Sequence, residues 1–211
     1  MFFQAPEDYG INYAMASIIR IIRYVCSFTT LLLPAFYVSV LMFHQEMLPT
    51  DLIISIIKSK QGQPFPVLLE VVFMLLAFEI LIEASARLPK TIGQTISIVG
   101  GLIIGEAAVN ANFVSPSVVV IIAISGIMGF LIPNQDFANS IRICRFCLAI
   151  LAGISGLFGL SIGLIIVIYY LCCLESFGVP YFTPFVSNDA KNISKDTVKR
   201  SIMLDMRKTK K

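Results

Sequence analysis

The sequence contains no tryptophan and a single histidine, His44, and only 14% of its 211 residues are charged. An ordinary soluble domain carries roughly 25% charged residues. One histidine leaves little basis for imidazole acid–base chemistry or for a zinc site. No G-x-S-x-G, H-E-x-x-H or Walker A string occurs. Catalysis is therefore not expected, and neither a cofactor nor a metal is called for. A cleavable leader is not expected either, because Glu7 and Asp8 fall where such a leader would be basic. Tandem repeats and low-complexity stretches are missing. Cys144-Arg-Phe-Cys147 has redox spacing, but no βαβ pattern surrounds it. Of the five cysteines, four sit in or beside apolar runs, and buried thiols acting as small hydrophobes are the expected reading.

Apolar side chains are what the chain has instead. They make up 57% of its residues, and the mean hydropathy is +0.85. A water-soluble globule of this size could not bury that much apolar surface, and a disordered chain would not contain it. Tyr24 to Phe43 is a run of 20 residues without a charge. At about 1.5 Å per residue it matches the roughly 30 Å hydrocarbon layer of a bilayer. Gln94 to Phe113 and Ser117 to Ile132 are two further candidate spans, and Phe146 to Cys173 is a fourth. That last run would be about 42 Å long as a straight helix, so it must tilt, bend or project. Between these runs, Pro49-Thr50-Asp51 is a helix start, and Leu52 to Ile57 makes a short interfacial helix ended by Lys58 and Lys60.

Val67 to Ala86 is helical in pattern but carries Glu70, Glu79 and Glu83 on more than one side. It must be wrapped by protein or lie along the interface. The expectation is an all-α membrane protein: a polytopic helical bundle with four spanning helices plus interfacial ones. Residues 1–187 form its transmembrane domain, and residues 188–211 form a basic tail. That tail holds eight basic residues against three acidic ones, which suits the cytoplasmic side and anionic membrane lipid. Nothing aromatic is interleaved with its charge, so nucleic acid is not expected as a partner.

Glu106 is the most informative single residue, because a charge at mid-membrane costs at least about 2.5 kcal/mol and therefore faces protein or water. Asn110 lies one turn further on the same face. Glu79, Glu83, Glu106 and Asn110 are the candidate ion path; a protonated, hydrogen-bonded structural role or a position close to the headgroups is the alternative for these glutamates. Small residues form two stripes at helical spacing. One runs through Gly101, Gly105 and Ala108, and the other through Gly156, Gly159 and Gly163. Such stripes let helix backbones approach closely, within one subunit or between subunits of a homo-oligomer.

Several strings resemble the A subunits of GerA-type spore germinant receptors. They are Pro6-Glu7-Asp8-Tyr9, Pro64-Phe65-Pro66, Arg87 to Thr95, Ser97 to Val109, Val114-Ser115-Pro116 and Ser176 to Tyr181. The resemblance runs from about residue 4 to 186 and implies a multi-pass protein of the inner spore membrane. Its implied partners are a transporter-like B subunit and a lipoprotein C subunit. The implied role is to transduce a nutrient signal that starts germination, by forming or gating an ion conduit. A non-conducting scaffold and a truncated, inactive paralogue are the alternatives. Family A subunits carry a large soluble domain ahead of the Pro-Glu-Asp-Tyr stretch. The resemblance therefore places this chain in the C-terminal membrane region of such a subunit.

Overall fold

Six helices account for nearly all of the residues described by a computed structural model, which are 10–176 and 179–180. Helix α1 is Tyr13–Phe43, started by the Asn12 side chain, which accepts from the Ala14 amide. Helix α2 is Thr50–Lys60, entered through a one-turn 3-10 segment, Gln45–Met47. Helix α3, Val67–Arg87, and helix α4, Lys90–Asn110, each begin directly after a proline. Proline is well suited there, because the first amides of a helix have no intrahelical acceptor. Helix α5 is Pro116–Gly129, and α6 is Gln135–Cys173, capped by Asn134. After α6 come two-residue strands, β1 Glu175–Ser176 and β2 Val179–Pro180, paired antiparallel.

The all-helical expectation holds. Among the described residues two helices, Ala14–Phe43 and Gln135–Cys173, have the length and apolar composition to cross a bilayer, the second only when counted across a break at Gly156. The first expected span, Tyr24 to Phe43, is the C-terminal part of a longer helix that starts at Tyr13, with Pro34 inside it. Helix α5 has 14 residues, or about 21 Å, which is less than the hydrocarbon layer. The basic tail, residues 188–211, lies outside the described residues.

The last helix does not run straight. At Gly156 the backbone takes φ 64° and ψ −144°, a region open essentially to glycine alone. Beyond that break the chain folds back: a Cβ on Gly163 would lie 2.6 Å from Leu148, fifteen positions earlier. The expected 28-residue span therefore becomes two arms, numbered 135–155 and 157–173. Gly159 and Gly163 let these arms pack against each other, with Leu151 and Leu148 as their neighbours.

Helices α3 and α4 form an antiparallel hairpin about the Leu88–Pro89 turn. Gly93 lies against the Ser85 carbonyl, and Gly100 lies against Leu81. Gly101 has open space where its Cβ would be, whereas Gly105 meets Val119 at 3.5 Å and Ala108 is buried in the core. The small residues closing the hairpin are therefore Gly93 and Gly100, offset by one from the stripe read along α4. Replacing Gly100 with valine is expected to open the hairpin and lower the melting temperature by about 2–4 °C, for a loss of roughly 1 kcal/mol. A melting curve of the detergent-solubilised protein checks this.

The main core joins five helices. Val38 from α1, Val71, Met74 and Leu75 from α3, Ala108 from α4, Val118 and Ile122 from α5, and Ala149 from α6 meet there with Val114. A second cluster, Ala35, Leu148 and Ala152 with Leu31 and Leu160, binds α1 to both arms of α6.

Candidate functional site

Charges buried within this apolar bundle are its most distinctive chemistry. Helix α3 carries three carboxylates, and the structure gives each a different setting. Glu70 is fully buried. Lys60 of α2 donates to its Oε1 at 3.0 Å, and the amide and hydroxyl of Ser115 donate to Oε2 at 3.1 and 2.8 Å. The Ser115 hydroxyl in turn accepts from Ser117 at 3.3 Å, and Ser117 is 2.8 Å from the Tyr37 hydroxyl on α1.

Local sequence explains this placement. Asn112 stands at φ 55°, a left-handed position that asparagine tolerates, and ends α4. The Phe113 amide returns to the Ala108 carbonyl at 3.0 Å. That turn aims Ser115, next to Pro116 at the start of α5, back at α3.

Glu79 sits further along α3 and faces α6. Arg142 Nη1 is 3.5 Å from its Oε1, and Arg145 Nη2 is 3.8 Å from its Oε2. Arg145 is almost fully buried and also donates to the Ser125 hydroxyl of α5 at 3.2 Å. Two guanidinium groups thus share one carboxylate at the junction of α3, α5 and α6. Glu83 points outward and pairs with Arg87 one turn on, where both side chains are exposed. Such a pair is worth about 0–1 kcal/mol.

Glu79, Glu83, Glu106 and Asn110 do not converge. Glu106 and Asn110 both lie exposed on α4, in line with the exposed Leu102 and Ile103. Among the described residues, Glu106 has no hydrogen-bond or ion-pair partner.

Glu70, Lys60, Arg142 and Arg145 were not among the expected site residues. Glu70 was visible as the carboxylate on the opposite side of α3 from Glu79. Its partner Lys60 stands ten residues earlier, across a helix break, so no spacing rule links the two. Arg142 and Arg145 come just before the last apolar run in the sequence, and both lie within α6. Beside Glu70 is a cavity of about 350 Å³, lined by Phe65, Leu69, Glu70, Phe73 and Phe113.

The family described as Bacillus/Clostridium GerA spore germination protein matches residues 1–211. This chain belongs to the GerA family. It is 43% identical over 192 residues to spore germination protein KA of Bacillus subtilis, covering 91% of this chain and 35% of that protein. Against spore germination protein A1 of the same species it is 39% identical over 181 residues, covering 86% of this chain and 38% of that protein. An uncharacterized membrane protein of B. subtilis, YfkQ, is 47% identical over 193 residues, covering 90% of this chain and 38% of that protein. The GerA chain thus spans less than two-fifths of the length of these relatives. No solved structure matches it.

Proposed function

We propose that this chain is the membrane region of a germinant-receptor A subunit and carries a nutrient signal into ion movement across the inner spore membrane. Glu106 is the observation that carries the reading. It is an exposed carboxylate on α4 among exposed apolar neighbours, in a protein whose α1 is long and apolar enough to cross a bilayer. Such a carboxylate cannot face lipid cheaply. A second copy of the chain set against that face would give Glu106 and Asn110 water and each other, so the conduit is formed between subunits of a homo-oligomer. The B and C subunits are the expected partners, and the basic tail is the expected contact with anionic lipid.

The test is Glu106→Gln in the full-length subunit, in spores. The rate of germinant-triggered ion release should fall at least tenfold at normal protein level. An unchanged rate removes Glu106 from the path.

A non-conducting scaffold is the second reading. Glu79 and Glu83, expected on the same path, are engaged by Arg142, Arg145 and Arg87, which is what a purely structural bundle would need. Conductance of the purified receptor in planar bilayers separates the two, since a scaffold passes no current.

A further inference from the structure

Helix α2 is held to the bundle by charge rather than by burial. At about 100° per residue, Leu52, Ile53, Ile54, Ile56 and Ile57 sweep an apolar arc of roughly 200°, and Lys60 falls near the middle of it. A cation in that position is a defect for an ordinary amphipathic helix. No residue of α2 is buried, and Leu52, Ile54 and Ile57 remain about half exposed. Among the described residues, the polar bond between α2 and another helix is that from Lys60 to Glu70.

Glu70 is where several elements meet. It takes Lys60 from α2 on one oxygen and both Ser115 donors from the α4–α5 turn on the other. Through Ser115 and Ser117 the same chain of bonds reaches Tyr37 on α1. The cavity beside Glu70 is walled by Phe65, Leu69, Phe73 and Phe113, so a displaced carboxylate finds apolar side chains there.

We propose that Lys60 and Glu70 form a latch through which the surface helix α2 controls the α4–α5 turn. With α2 docked, Lys60 balances the buried carboxylate, which then holds Ser115. When α2 lifts, Glu70 is left as an uncompensated charge in apolar surroundings. It must turn away to find a new partner, and that change weakens its hold on Ser115. The exposed end of α4 that bears Glu106 and Asn110 leads directly into that turn. The latch extends the signalling role proposed above, but the movement it describes does not require ion passage.

Hydrogen–deuterium exchange on the full-length subunit in lipid nanodiscs tests it. Lys60→Met and Glu70→Gln should each speed exchange at least tenfold along α2 and at the Ser115 amide, while the 135–155 arm of α6 keeps its rate. Lys60→Arg should restore the native pattern, and Lys58→Met, on the outer side of α2, should not disturb it. Native exchange at α2 and Ser115 in both variants overturns the latch. So does an equal rise in α6, which would mean general loosening, or an equal effect of Lys58→Met.

In spores, Lys60→Met should shift the germinant concentration for half-maximal response at least threefold, and an unshifted value also overturns the coupling. Failure of the conduit reading appears differently, as an unchanged rate in Glu106→Gln, so the two can fall separately.

Discussion

Gly156→Ala should be among the most damaging single substitutions in this chain. Alanine cannot adopt φ 64° and ψ −144° without a cost of about 1–3 kcal/mol. Its Cβ would also meet the Phe43 side chain at 3.2 Å. The cheaper outcome is for α6 to straighten, which parts its two arms. Leu160 then leaves Leu148, Ala152 and Ala35, and the cluster tying α1 to α6 is lost. A total of about 3–5 kcal/mol is expected, by analogy with other core losses. For a chain of this length that lowers the melting temperature by roughly 10 °C or more. Thermal unfolding of the purified protein in detergent measures it. A melting temperature within a degree or two of the parent would mean that the bend is not built in at Gly156.

Arg145→Leu is the second large effect. Its guanidinium is almost completely buried between Glu79 and Ser125. Removing it leaves Glu79 with Arg142 alone and leaves the Ser125 hydroxyl without its donor. The loss should be about 1–3 kcal/mol, because the buried Ser125 hydroxyl loses its donor while Glu79, partly exposed, keeps water and Arg142. The Glu79→Leu/Arg145→Leu double variant should lose less than the sum of the two single variants, which is the signature of a direct interaction. Glu83→Ala supplies the contrast. Its pair with Arg87 is exposed, so the change should stay within about 1 kcal/mol. If Arg145→Leu melts with the parent, the cluster at the meeting of α3, α5 and α6 does not hold the bundle together.

Much of the architecture was legible in the residues. Pro49-Thr50 marked the start of α2, and α3, α4 and α5 likewise begin at or just after a proline, Pro66, Pro89 and Pro116. These signals are local: a proline or a capping side chain acts on the amides beside it, whatever the rest of the chain does. The three carboxylates of α3 likewise implied that this helix could not lie bare in lipid, and Glu70 is indeed wrapped by protein.

The candidate site was far less legible. Glu79, Glu83, Glu106 and Asn110 shared helical faces, but sharing a face does not say what lies opposite. In the structure Glu79 meets two arginines and Glu83 meets one, while Glu106 and Asn110 look outward on α4. Lys60 read as the end of a surface helix, and its reach to Glu70 depends on how the break at Gln61 to Pro66 folds.

Helical class and the order of the helices follow from composition and short-range pattern, because apolar content and helix-starting residues act within a few positions of themselves. Which carboxylate is neutralised, and by which cation, follows only once distant segments are packed together. The reversal at Gly156 is of the same kind. A glycine in an apolar run permits a straight helix as readily as a bent one, and the contacts of Leu148 and Leu151 with the returning arm select the bend.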